Sequence, residues 1–400
     1  MQKYIIIIIN IEIIKMKKSV FLFCMAFVLL LETGCTSSQV DNDENLSYIV
    51  WDSLENADFL LNPYTAVDFV KLETNDNCIL NDIAKIEIDD SLVFIEDYMQ
   101  RLYLFHKNGS FICKIGTKGG AENEYVTLFD FVLNRKEKQL YIVDCSKGKI
   151  LIYDYFGKYL GNKDIGATSL SNSVKAAFVD ERHLVTINFN SPEERFNFSI
   201  LDIESKTVTN YIEYISIGNI RSHSEEGRIT YQLSDILMCA ELSDTIYTSK
   251  NGKILPLYVF QSFARHATKD DIEEGRYDFG AQPTSTLLKN GISAGIKNLY
   301  ATDRIIYFQC RTNDGFYRIF YNIEKGKGYK FDMTKDLDAD NNALWNFLIT
   351  SSNNAFVCAL PVGDFFSKEK VRISYPELND ILNNSKDEDN PILAFFNVVE

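Results

Sequence analysis

Between Leu92 and Gly166 the chain writes one pattern twice. Leu92-Val93-Phe94-Ile95-Glu96, Leu102-Tyr103-Leu104-Phe105, Asn108-Gly109 and Phe111-Ile112-Cys113-Lys114-Ile115-Gly116 return 48 positions later as Leu140-Tyr141-Ile142-Val143-Asp144, Ile150-Leu151-Ile152-Tyr153, Phe156-Gly157 and Tyr159-Leu160. Each copy holds three short apolar runs, β-branched and aromatic, separated by polar turn residues, which is the grammar of strands joined by hairpins. A period of 40 to 50 residues with three or four strands per unit predicts a blade of a β-propeller.

The chain has 400 residues, more than one ordinary core holds, so repetition decides how it is organised. Later units are degenerate but keep the strand grammar. Ala177-Phe178-Val179, His183 to Ile187 and Phe198 to Asp202 fit a third. Asp244-Thr245-Ile246-Tyr247, the Asn251-Gly252 turn and Leu257 to Phe260 fit a fourth. Asn298 to Tyr300, Arg304 to Cys310 and Phe316 to Tyr321 fit a fifth, and Trp345 to Ile349 with Ala355 to Leu360 a sixth. Ala66-Val67-Asp68-Phe69-Val70-Lys71-Leu72 alternates like a half-buried strand but precedes the first repeat. It is expected to pair with the last blade, closing the ring and hiding two strand edges. The expectation is therefore an all-β, six-bladed propeller closed by an N-terminal strand. A tail from Tyr375 should be helical and then extended, and Thr268 to Tyr277 should form a short charged helix.

Before the repeats lies a leader. Lys15, Lys17 and Lys18 precede an apolar run from Val20 to Leu31, too short for a comfortable membrane span, and Glu32-Thr33-Gly34-Cys35 follows. Met16-Lys17-Lys18 makes the more ordinary start, so translation is expected to begin at Met16. Gly34-Cys35 resembles the lipobox of bacterial lipoproteins, although Glu32 stands where that motif usually carries a small or aliphatic residue. The resemblance implies that Cys35 is acylated and anchors the chain to a lipid bilayer. Gln39 to Glu44 is acidic; it is either a solvated linker or, as in Bacteroidetes lipoproteins, akin to a surface-export signal. The chain thus divides into a signal segment 1–34, a flexible tether 35–58, a propeller 59–374 and a tail 375–400 packed on it.

The loop Gly116-Thr117-Lys118-Gly119-Gly120-Ala121-Glu122-Asn123-Glu124-Tyr125, with the Ile115-Gly116 strand end before it, resembles the signature of NHL-type propeller repeats. Leu140-Tyr141-Ile142-Val143-Asp144 and Lys149-Ile150-Leu151-Ile152-Tyr153 resemble two further elements of that family. With the lipobox, the chain is similar to six-bladed β-propeller lipoproteins of the Bacteroidetes type. That likeness implies a place in the cell envelope, on the outer membrane facing the periplasm or the cell surface.

Chemistry is harder to find. The net charge of -15 becomes -17 once residues 1–34, with four Lys and two Glu, are set aside, and so acidic a surface repels phosphate backbones and excludes nucleic acid. Cys78, Cys113, Cys145, Cys239, Cys310 and Cys358 show no C-x-x-C pair; several sit in apolar runs, where cysteine packs as a small hydrophobe. His106, His183, His223 and His266 show no metal-ligand spacing, so neither a metal nor a cofactor is expected. His106 and Asp154 occupy equivalent strand ends in the two clear repeats, a place for turn hydrogen bonds. The Gly116–Gly120 loop lacks the Lys-Ser/Thr and helix of a phosphate loop and runs into Glu122 and Glu124. No catalytic motif is evident. The reading is an envelope-anchored binding or scaffold propeller that presents loops to a glycan, peptide or envelope protein, with Lys118, Glu122, Glu124 and Tyr125 as the candidate binding face. The alternative is a hydrolase or metal-dependent lyase centred on the channel. That enzyme reading predicts inward-facing Asp, Glu, His or Arg converging at one mouth of the channel with shifted pKa values; a lining of Ile, Val and Phe would favour the scaffold.

Overall fold

A computed structural model describes residues 46–57, 65–166, 173–188, 195–215, 228–232, 235–262, 264–273, 283–313, 315–334 and 340–398. Two short strands come first, β1 (Ser47–Val50) and β2 (Glu55–Asn56), then β3 (Thr65–Lys71). Blade one holds β4 (Ile83–Asp89), β5 (Leu92–Asp97), β6 (Leu102–His106) and β7 (Phe111–Ile115). Blade two holds β8 (Asp130–Asn134), β9 (Gln139–Asp144), β10 (Lys149–Asp154) and β11 (Tyr159–Asp164). Blade three is β12 (Ser173–Phe178), β13 (His183–Asn188), β14 (Phe196–Asp202) and β15 (Thr207–Glu213). Blade four is β16 (Ile229–Gln232), β17 (Asp235–Cys239), β18 (Thr245–Lys250) and β19 (Lys253–Gln261). Blade five is β20 (Lys297–Ala301), β21 (Ile305–Arg311), β22 (Phe316–Asn322) and β23 (Lys327–Asp332). Blade six combines β24 (Leu348–Ser351) and β25 (Ala355–Leu360) with β26 (Ile392–Val398) and, at its outer edge, β3.

The ring closes as the alternation of residues 66–72 predicts: β3 runs antiparallel to β26, Phe69 opposite Ala394 and Val67 opposite Phe396. Six apolar clusters, one between each pair of neighbouring blades, hold the wheel. Phe94, Leu104, Phe131 and Ile142 pack between blades one and two, and Val93, Phe105, Val357 and Phe395 pack between blades one and six, so the first repeat meets the last. Between blades five and six the cluster is aromatic, with Trp345 stacked on Tyr307 at 5.8 Å and edge-on to Phe320 at 5.1 Å. Burying side chains of this size supplies most of the drive to fold. Asn390, buried just before β26, stitches the closure further. Its side chain donates to the carbonyls of Glu73 and Cys78 and accepts from the Leu80 amide, while its own amide donates to Thr74.

Turn chemistry fixes the hairpins. In the Asn108-Gly109 turn Gly109 has φ +90°, and a Cβ there would lie 2.1 Å from the Lys71 carbonyl oxygen, so the closing strand and blade one meet through a residue without a side chain. Asp154 accepts from the amides of Phe156 and Lys158, the turn role expected of it.

Three expectations change. Residues 47–56, placed in the tether, pair in parallel with the outer strands of blades four and five, β1 on β19 and β2 on β23. Exposed edges and the apolar run Tyr48-Ile49-Val50-Trp51 explain this: Ile49 is fully buried, and the Trp51 ring lies under the Lys330 ammonium and edge-on to Tyr317. The tail divides. Helix Pro376–Asn383 packs Leu378 and Leu382 into the aromatic cluster, but the extended part, β26, sits within blade six, so the propeller continues to Val398 rather than ending at 374. Trp345 closes a short helix, Asp340–Trp345, and the innermost strand of blade six starts only at Leu348. The charged insertion is helical over Lys269–Glu273, with Thr268 just before the helix; residues 274–277 lie outside the described residues.

Candidate functional site: the central channel

Successive side chains of a strand point to opposite sides. In β4 the alternation Lys85-Ile86-Glu87-Ile88 sends the isoleucines into the core between blades one and six, and leaves Lys85 and Glu87 lining the axial cavity. Arg135, Lys175, Arg228 and Tyr231 join them from blades two, three and four, and Thr350, Ser351 and Ser352 from blade six. The cavity they enclose has a volume of about 80 Å³. Across it the hydroxyls of Thr230 and Ser351 come within 3.2 Å.

Most of these charges neutralise one another. The Lys85 ammonium donates to Asp130 at 2.7 Å and to the Phe131 carbonyl at 2.7 Å, with Glu87 at 3.5 Å. Burial works against its charge, but Asp130 and Glu87 outweigh burial and raise its pKa. Arg135 donates to Glu87 at 2.9 Å and lies over the Tyr231 ring. Asp130 also accepts from the amides of Phe131 and Ala176, which ties blade two to blade three.

Glu96, Lys175 and Arg228 stand outside this balance. Glu96, 7% exposed near the end of β5, has its carboxyl pKa pushed up to about 8, first by burial and then by the negative charge of Asp130, with Lys85 and Lys175 pulling the other way. It therefore carries its proton at neutral pH. Lys175, half-buried on β12, makes no hydrogen bond or ion pair among the described residues. Arg228 spends Nε on the Cys239 carbonyl and Nη2 on the Asn197 side chain, both neutral acceptors, and lines the cavity.

The residues singled out from sequence lie elsewhere, and the loop that carries them is internally tied. The loop closes on itself through a bridge between Lys118 and Tyr125. Tyr125 is buried in the core between blades one and two and donates to the Gln100 carbonyl. The Glu124 carboxylate accepts from the Ala121 amide, and the Lys147 ammonium caps the Ala121 and Glu124 carbonyls. Of the four candidate residues, Lys118 and Glu122 are exposed; they reach Gln100 and Asn162. Cys35, the expected lipidation site, lies outside the described residues, as does His223. Cys78, Cys239, Cys310 and Cys358 are buried thiols, and Cys113 and Cys145 are half-buried; none of the six is in a disulfide. His266 Nδ1 lies 2.9 Å from Asp244, but Ser293 Oγ donates to that same carboxylate and not to the imidazole, so the three do not form a nucleophile and base. No group of three or more His, Cys, Asp or Glu suited to a metal occurs among the described residues.

The channel charges were open to notice in the sequence. Lys85 and Glu87 occupy alternate positions of a strand whose other positions are isoleucine, and Glu96 interrupts an apolar run. Lys175 and Arg228 carry no such mark, because their meeting depends on the ring.

Among solved structures, the chain is similar to an exported-protein candidate of Bacteroides fragilis, with 19% identity and a TM-score of 0.66 over 89% of this chain and 100% of the other. That likeness is one of fold. Looser likenesses join it to a DUF4221 member of Bacteroides vulgatus, at 11% identity and TM-score 0.47 over 84% of this chain and 98% of the other. A Bacteroides thetaiotaomicron protein of unknown function follows at 11% identity and 0.41, over 84% and 74%. No curated protein sequence matches the chain. The family model described as a domain of unknown function, DUF4934, matches residues 60–397, which spans the whole wheel from before its closing strand to its last one, and the chain belongs to that family.

Proposed function

We propose that this chain is an extracytoplasmic binding propeller, anchored in the cell envelope through an acylated Cys35, which takes its ligand at the central channel. The channel carries the proposal: among the described residues it gathers ionised groups from blades one to four, in a wheel whose blade interfaces hold apolar clusters. Buried charge is costly, and a fold in need only of stiffness would fill its axis with aliphatic side chains. The partner is a glycan, a peptide or an envelope protein that offers a small polar group to the channel, with the surrounding loops giving further contact. The lipobox-like Gly34-Cys35, the NHL-like repeats of blades one and two and the exported character ascribed to the Bacteroides fragilis neighbour support the address.

Two experiments test this. Metabolic labelling with a fatty acid should mark the native chain and not Cys35→Ala; equal labelling would overturn the anchor. For the site, Thr350→Phe, which fills the channel wall, should abolish the thermal shift given by any ligand found in a screen of sugars, peptides and organic acids. Ligands that bind both forms equally would move the site off the axis.

A further inference from the structure

Within the channel the balance of charge points to one class of ligand group. Lys85 and Asp130 form one pair and Glu87 and Arg135 another. Asp97 is held by Arg101, and Glu241, from blade four, acts on Lys297. Lys175 and Arg228 have no carboxylate partner among the described residues, although both line the cavity. A half-buried ammonium and a guanidinium bonded only to neutral acceptors at one cavity amount to a site short of an anion. We propose that the channel is an oxyanion site in which Lys175 and Arg228 hold a carboxylate or phosphate group. This rests on the channel being the binding site and deepens that reading.

Size and position agree. A cavity of about 80 Å³ has room for roughly five to eight water positions, which suits the end group of an acid and not a whole sugar or peptide. Glu96 sits on blade one outside the cavity lining, paired in register with Lys85 across β4 and β5, and its carboxyl feels the charges of Asp130, Lys85, Lys175 and Asp97. Protonated, it is a neutral hydrogen-bond donor and does not oppose an anion. Ionised, it would compete with the ligand for Lys175. An anion must therefore bind more tightly below the Glu96 pKa of about 8 than above it, and must take up a proton where it binds above that value.

The test is calorimetric titration of the folded protein with inorganic phosphate and, separately, with acetate, which stays a monoanion from pH 6.5 to 9. Lys175→Met should weaken binding roughly 10- to 100-fold, as loss of one charge-assisted hydrogen bond does, and Lys175→Arg should restore most of it. Acetate affinity should fall as pH rises through 8 in the native chain and stay level in Glu96→Gln. Preference for phosphate over acetate, or the reverse, tells a phosphoryl ligand from a carboxylic acid. Equal affinity in the native chain and Lys175→Met, or no binding of either anion, overturns the oxyanion assignment. A neutral or cationic ligand lost in Thr350→Phe would then still leave the channel as the site; loss of both results removes the channel reading as well.

Discussion

Blades one and two are built alike and differ at one telling position. The sequence repeat of 48 aligns Glu96 with Asp144, but the strands align otherwise: β5 ends at Asp97 and β9 at Asp144. Asp97 sits opposite Arg101, and Asp144 opposite Lys149, so the second turn carries one residue more. Both aspartates do the same work: Asp97 accepts from the amides of Met99 and Arg101, and Asp144 from those of Val126 and Lys147. Glu96 is thereby the counterpart of Val143, which is fully buried in the cluster between blades two and three. Where the architecture asks for an apolar side chain, blade one supplies a carboxyl. The shared positions belong to the fold, and the odd one belongs to the site.

The comparison breaks most forcefully at the ring closure, since blade one leans on residues from the far end of the chain and blade two does not. Asn390→Ala strips buried partners from Glu73, Cys78 and Leu80, keeps only the backbone bond to Thr74, and should cost on the order of 3–5 kcal/mol in urea unfolding. Hydrogen exchange should speed first at the amide of Leu80 and in β4, while β9 and β10 keep their protection. Uniform loss across both blades would mean that they do not differ in this respect.

The next effect sharpens the contrast at Glu96. Its folded pKa is raised above the unfolded value, so its contribution is whole below about pH 4.5 and is lost as pH climbs to about 8. The native protein should lose on the order of 3 kcal/mol across that window, and Glu96→Val, which copies blade two, should lose little. Denaturant midpoints at pH 5, 7 and 9 decide it. Parallel curves for the two chains would show that the carboxyl ionises without strain and that the position is ordinary.

Such contrasts explain what could be read beforehand. A blade drawn from one contiguous stretch announces itself, because its strands and turns follow one another at a fixed spacing; blades one and two did so. Blade six is assembled from residues 65–71, 348–360 and 392–398, and only the surplus strand at the N-terminus betrayed it. Its third strand, Ile392–Val398, reads as a tail because three helices and a loop separate it from β25. The site was less legible still. A conspicuous loop at Lys118–Tyr125 drew attention through its glycines and carboxylates, which turn out to serve the loop's own geometry, whereas Lys175 and Arg228 are 53 residues apart and meet only once four blades have closed around an axis.

A smaller effect separates the two aspartates. Asp97→Ala and Asp144→Ala should each cost about 1–3 kcal/mol through the turn amides they leave unpaired. The loss at Asp97 should be the greater, because this fully buried carboxylate also accepts from the Arg101 guanidinium at 2.6 and 2.8 Å. Equal losses would assign the whole effect to the turn and none to the ion pair. Arg101→Met separates the terms: it should narrow the gap between the two variants while leaving Asp144→Ala unchanged.

The smallest effect is expected where the sequence first pointed. Lys118 and Glu122 are exposed at the loop between the two blades, and among the described residues their side chains hydrogen-bond Gln100 and Asn162. Such surface contacts contribute little, so Lys118→Ala and Glu122→Ala should each shift stability by no more than about 0.5 kcal/mol. Anion affinity should be unaltered, because neither residue lines the channel. Glu124→Ala tests the same loop from within: it frees the Ala121 amide and should loosen the loop without reaching the axis. A loss of ligand binding in any of the three would return the site to the face of the propeller, and blade one would then differ from blade two in its loop rather than at Glu96.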